Sequence, residues 1–339
     1  MAVLVYFQFR TWRNFDWELF LSQTDNINKL HIIHGIALIY VAYFMRAIRW
    51  KIFLRPIRPH ASSMRLLSPT LIGFTGLALL GRPGELIRPY LIARGEKLPF
   101  SSQLAVWAVE RIFDIGAFTF LLVLAAFFAT APKRLAYYGS FREVGVAFSL
   151  IVVVLALAAI AVAKSGEAVA AWVERRFAHV ASNLGHRIAL RIREFRGGLD
   201  TIHSFSSLLQ LIAVSLVMWA MIAVAYKEVT HAYAQDKLDI PQTQILLLMG
   251  SSMVGSLIQL PGVGGGSQLA TISMLDHVFG VPKELAASCG IMLWLVTFVA
   301  VIPVGLILAH RERLSLRKLS EESHHEEEVP VTSPGPPAV

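Results

Sequence analysis

The sequence predicts an all-α polytopic membrane protein, a helical bundle with two Gly/Pro-broken segments expected to be re-entrant and inverted relative to one another. Hydrophobic residues make up 55% of the chain and charged residues only 16%. The mean hydropathy is +0.58, far from a soluble average. Several apolar runs reach the roughly 20 residues that a helix needs to cross a hydrocarbon core of about 30 Å. Two further apolar regions are interrupted near their middles by Gly, Pro and polar side chains.

In chain order, residues 1–30 begin with "MAVLVYFQF", half a span, followed at once by Arg10, Arg13 and the amphipathic "WRNFDWELFL". This segment is expected to be a stub or the remnant of a first helix, too short for a signal peptide with a cleavage site. A transmembrane domain follows over 31–310. Its clear spans are 32–54, 103–130, 144–163, 207–226 and 284–309, and its broken regions are 66–93 and 242–280. Between spans, 165–205 is a basic amphipathic stretch suited to lying on anionic headgroups. Residues 311–339 start basic, turn acidic at "EESHHEEE" and close with "PVTSPGPPAV", a composition that predicts a disordered tail. The single cysteine, Cys289, lies in an apolar run and excludes an intrachain disulfide.

Charge placement orients these elements. Lys and Arg number six in 46–65, seven in 164–205 and four in 310–320, against three in 131–143 and two in 227–241. The positive-inside bias puts the first three segments, and with them the C-terminal tail, in the cytoplasm. Both ends of 66–93 then face the cytoplasm, so this region is expected to enter the membrane and return. Region 242–280 fits a second hairpin entering from the opposite face, although three full crossings between 242 and 309 satisfy the same bias.

The first broken region contains "GRPGELIRPYLIAR", residues 81–94. Irregular backbone at membrane depth is tolerated where it is buried in protein or lines a wet cavity, and paired Gly/Pro interruptions mark substrate sites in transporters. Gly81 and Gly84 would let backbone approach a ligand, and Pro83 suits the first turn of a half-helix. That helix would turn its N–H groups toward an anion. Arg82 and Arg88 offer forked donors matched to phosphate, and Glu85, three residues from each, is placed to pair with Arg88 and hold it.

Two other polar groups complete the candidate site. "VERIFD" at 109–114 puts Glu110, Arg111 and Asp114 inside a span, where ionisable residues face the bundle interior. They serve either as an interhelical ion pair with Arg46 or Arg49, or in direct contact with substrate. The second broken region holds "LPGVGGGSQ" at 260–268, where Gly264, Gly265, Gly266 and Gln268 are candidates for close approach to the same ligand.

"RAIRW" at 46–50, "GRPGELIRPYLIAR", "VERIFD" and "LPGVGGGSQ", in this order and spacing, resemble the integral-membrane part of the lysylphosphatidylglycerol synthase family, often called flippase-like membrane proteins. The resemblance covers roughly 30–310. It implies a bacterial inner-membrane protein that moves or handles anionic or isoprenoid lipids, in some members fused to a soluble aminoacyl-transferase domain that this chain is too short to hold. Many relatives carry an Asn before the Gly-Arg element and an acid after the Gly-rich one. Ala78 or Leu79, and Gln268, stand at those places here, which removes a charge from the second element.

The expected function is translocation or handling of an anionic or isoprenoid-linked lipid whose phosphate headgroup enters a central polar cavity. The alternatives are a membrane-embedded transferase using Glu85, Glu110 or Asp114 as base, and a non-catalytic partner that presents lipid to a separate enzyme. Neither glycine motif has the Gly-Lys-Ser/Thr ending of a phosphate-binding loop. His324 and His325 fit an acidic tail better than a metal site, so no cofactor or metal is expected. The expected partners are the bilayer and an anionic lipid, and not nucleic acid.

Overall fold

The computed structural model describes residues 16–128, 138–177, 182–199, 204–256 and 265–312, and every regular element among them is helical. Helix α1 spans Trp17–Asp25, its first turn closed by the Asp16 carboxylate accepting from the Leu19 amide. The Asn28 side chain caps α2, Lys29–Leu54, in the same way. Then come α3, Ser63–Leu80, a 3₁₀ turn at Arg82–Leu86, α4, Ile87–Glu96, and α5, Phe100–Phe128. Helices α6, Tyr138–Phe177, α7, Ser182–Leu199, and α8, Phe205–His231, form the middle of the chain. The last part holds α9, Gln242–Gly255, α10, Gly265–Ser273, α11, Lys283–Trp294, and α12, Ile302–Arg311. A π turn at Met274–Val278 extends α10, and another at Leu295–Val299 joins α11 to α12.

Among the described residues, four helices are long and apolar enough to cross a membrane: Lys29–Leu54, Ser63–Leu80, Phe205–His231 and the joined Lys283–Arg311. Helix α5 matches them in length but carries Glu110, Arg111 and Asp114. Leu150, Val153 and Leu157 of α6 point outward, as a lipid-facing helix requires. The polytopic all-α architecture expected from composition is present.

The first broken region folds as an antiparallel helical hairpin. Gly81, at φ 71°, ends α3 in a conformation that a side chain would strain, and Pro83 starts the next turn. A Cβ on Gly84 would lie 2.2 Å from the carbonyl of Gly76, and one on Gly73 would lie 2.5 Å from the Cβ of Arg88. Gly84 therefore admits the neighbouring helix and not a ligand, contrary to the expectation for it. The hairpin's ends meet at one side of the molecule, where Arg58 Nε donates to the Glu96 carbonyl at 3.0 Å.

The second broken region returns on itself too. A Cβ on Gly255 would sit 2.2 Å from the Gly266 carbonyl oxygen, so α9 and α10 pack backbone to backbone. Gly265 has φ 56°, which explains a glycine there by conformation alone. Gly264 lies outside the described residues. The turn of the first hairpin touches the end of α9, because the Arg82 guanidinium donates to the carbonyl of Ser256.

The α11–α12 rod braces the first hairpin. Gly305 fits against Thr75 of α3, whose hydroxyl donates to the Val301 carbonyl at 3.3 Å. Tyr43 and Tyr40 of α2 donate to the carbonyls of Thr297 (3.2 Å) and Ala300 (2.7 Å), around the π turn. Ser68, at the start of α3, bonds Glu312, and Arg55 bonds Gln210 at 3.3 Å. The basic segments thus gather at one end of the bundle. Asn28, Ala232 and Ser288 mark the other end, where α1 docks through Thr24 and Ser288 hydroxyls 2.8 Å apart.

Helix α6, at 40 residues, is about 60 Å long at 1.5 Å per residue, roughly twice the hydrocarbon thickness. The sequence divides it into a span at 144–163 and a separate amphipathic stretch, but the helix runs through Lys164 unbroken. Its outer part pairs with α7 across buried Ala170, Val173 and Ala189. Arg193 grips both carboxylate oxygens of Glu174 at 2.9 Å and reaches Glu167 at 3.0 Å. Residues 165–177 and α7 are joined by these ion pairs, and α7 lies on α5, where Gly198 fits against the Ser102 carbonyl.

Candidate functional site

Arginines three apart on a helix share a face, and Arg46 and Arg49 turn that face of α2 toward α5. There Arg49 donates to Glu110 at 2.5 Å and to Asp114 at 2.7 Å, and its Nη1 also reaches Ser215 of α8 at 3.0 Å. Arg88 of α4 engages both Glu110 oxygens and stacks over the Trp50 ring at 4.5 Å. Trp219 adds its indole N–H to Asp114 at 3.2 Å. Glu110 and Arg49 are fully buried, so each charge depends wholly on these partners.

Beside this network lies a cavity of about 280 Å³. Its lining includes Arg46, Arg82, Glu85, Arg111 and Asp114 together with apolar side chains, among them Ile39, Phe74, Ile222, Met249 and Phe298. Arg46 makes one long contact, 3.4 Å to Asp114, and lies 5.0 Å over the Phe74 ring. Arg111 sits 3.2 Å from Asp114 and 3.5 Å from Glu110, and its buried Nε has no partner among the described residues.

The predicted site residues divide into three groups. Arg82, Glu85, Arg111 and Asp114 line the cavity, whereas Arg88 and Glu110 stand behind it. Gly265, Gly266 and Gln268 are on α10 and are not among the lining residues; the second hairpin instead contributes Ser252, Met253 and Ser256. Ser252 links this wall to α8 and α10, meeting Tyr226 at 3.3 Å and Ser267 at 2.7 Å.

The expected Glu85–Arg88 pair is replaced by Arg82–Glu85. A 3₁₀ turn has three residues per turn, so positions 82 and 85 eclipse one another, while Arg88, inside α4, faces α5. Arg46 and Arg49 are the residues that sequence reasoning underweighted. Their signal is two arginines three apart inside a span, the spacing of "RAIRW".

Helices crossing the thickness of a bilayer, around ion pairs sealed from it, define a multi-pass integral membrane protein. The chain belongs to the lysylphosphatidylglycerol synthase transmembrane-region family, whose model matches residues 1–305. It is similar to a UPF0104 membrane protein of Methanothermobacter thermautotrophicus, with 24% identity over 272 residues, 78% of this chain and 78% of the relative. No solved structure matches the chain.

Proposed function

We propose that this protein is a lipid translocase or lipid-handling transporter that takes an anionic phosphate headgroup into the cavity while the hydrocarbon chains stay against its apolar side. The carrying observation is that Arg46, Arg82 and Arg111 line one cavity together with apolar side chains. Guanidinium forks match phosphate oxygens and bind them by charge-assisted hydrogen bonds. The contact between Arg82, in the turn of the first broken region, and the end of α9 in the second supports a site at a repeat interface, the arrangement used by transporters. Glu85, Glu110 and Asp114 are each held in an arginine ion pair, which favours transport over a transferase that needs one of them as a base. The gathered basic segments support an orientation with that end, and the C-terminal tail, in the cytoplasm.

The test is reconstitution of the purified protein in liposomes with labelled phosphatidylglycerol and phosphatidylcholine. Wild type should move the anionic lipid selectively. Arg82→Ala should weaken its binding by about tenfold or more, from the roughly 1.5–3 kcal/mol of a charge-assisted hydrogen bond, and Arg82→Lys should recover part of that loss. Equal affinity of wild type and Arg82→Ala for the anionic lipid refutes the proposal.

A further inference from the structure

We infer that the headgroup this cavity accepts is a dianion, a phosphate monoester or pyrophosphate, and not the singly charged phosphodiester of ordinary anionic phospholipids; the inference rests on the translocase reading. Four guanidiniums, those of Arg46, Arg49, Arg88 and Arg111, share one network with two carboxylates, Glu110 and Asp114, and the Arg82–Glu85 pair beside it is neutral. Four positive charges against two negative leave a surplus of two.

The position of that surplus matters as much as its size. Arg49 is charge-paired with two carboxylates, although its buried Nε has no partner among the described residues; Arg88 is paired with both oxygens of Glu110; and Arg82, itself on the cavity lining, is charge-paired with Glu85. Arg46 and Arg111 touch only carboxylates already committed elsewhere, at 3.2 Å or more. Both line the cavity. The unmatched charge is therefore at the wall a ligand meets, not in the buried core.

Uncompensated charge inside a membrane protein is costly and draws a partner. A phosphate monoester carries nearly two negative charges above its second pKa of about 6 and offers three terminal oxygens, enough for two forks. A phosphodiester carries one charge at every accessible pH and leaves one arginine unmatched. The same chemistry is available from a lipid headgroup or from free phosphate. The apolar side chains that share the lining favour the lipid.

The experiment compares phosphatidic acid with phosphatidylglycerol of identical acyl chains in proteoliposomes holding the full chain, between pH 5 and pH 8, with inorganic phosphate as a soluble competitor. At pH 7.5 the monoester should be preferred by about tenfold or more, the increment of one charge-assisted contact. The preference should fall toward pH 5 as the monoester gains a proton, while the diester signal stays flat. Arg46→Gln should erase the preference and Arg46→Lys should keep most of it; the wild-type pH profile decides the matter even if a variant does not accumulate. Equal transport of both lipids across the pH range overturns the dianion inference and leaves an anionic-lipid translocase standing. Displacement of the lipid by phosphate at equal affinity overturns the lipid assignment, and transport of neither lipid overturns both readings.

Discussion

Glu110 is the point at which the buried network is most vulnerable. Its carboxylate receives Arg49 at 2.5 Å, both terminal nitrogens of Arg88, and Arg111 at 3.5 Å, with no solvent exposure of its own. Glu110→Gln keeps the shape and removes the charge, leaving Arg49 and Arg88 buried and under-compensated. Breaking a buried pair in this way costs about 3–5 kcal/mol. Chains of this size lose roughly 2 °C of Tm per kcal/mol, so the melting point should fall by about 5–10 °C. Thermal unfolding of the purified protein in detergent, followed by tryptophan emission, reads this directly, because Trp50 and Trp219 contact the network. Adding Arg88→Met, which removes the stranded cation, should restore at least half of the loss. A Glu110→Gln protein that melts with wild type, or a double variant no better than the single, would refute the claim that these charges hold the bundle together.

The hairpin topology is open to cysteine labelling in a Cys289→Ser background: Lys97→Cys and Arg311→Cys should react with an impermeant reagent from one side of the membrane and Lys29→Cys from the other. Lys97 labelling from the same side as Lys29 sinks the hairpin orientation. The α6–α7 hairpin makes a separate pH prediction, since hydrogen bonds from Arg193, with a smaller contribution from His186, lower the Glu174 carboxyl from 4.5 to about 2. A carboxylate held low in the folded state stabilises fully above its ordinary value, and the contribution fades as pH falls through the shifted one. Hydrogen exchange over 165–199 should accordingly rise between pH 4.5 and about 2. Arg193→Ala should open the hairpin at neutral pH and flatten that dependence; an unchanged profile in the variant removes the pair from any structural role.

Legibility in the sequence tracks how local each cause is. The first broken region is readable because Gly81, Pro83 and Gly84 interrupt an apolar run within four residues, and a positive-φ helix stop followed by a proline is a short-range instruction. "VERIFD" is readable as a buried polar group because a charge inside a span is too costly to face lipid and turns to the bundle interior. Partner choice is not readable. Whether Glu85 turns to Arg82 or Arg88 depends on the chain entering a 3₁₀ turn before the α-helix, and the assignment of Arg49 to two carboxylates depends on the rotation of α2 against α5. The length of α6 is hidden for a different reason: hydropathy reports where lipid ends, and the helix continues past that boundary through Lys164, Ser165 and Gly166. The glycines show the same limit. Composition marks them as sites of close approach, but only the packed structure shows that Gly84 approaches Gly76 and Gly255 approaches Gly266.

The π turn at Leu295–Val299 makes the last rod a helix with two phases. One extra residue in a single turn advances everything after it by about 100° around the axis. Within the turn, the rod offers Thr297 and Phe298 to the cavity and the Thr297 carbonyl to Tyr43, and just past it the Ala300 carbonyl to Tyr40. Further along, the rod offers Gly305 to α3. A uniform helix could satisfy one of these faces but not both. A deletion of one residue between 295 and 299 would leave a perfectly good helix that presents the wrong side chain at one of its two surfaces, so the spacing here is specified by count, whichever apolar residues fill it.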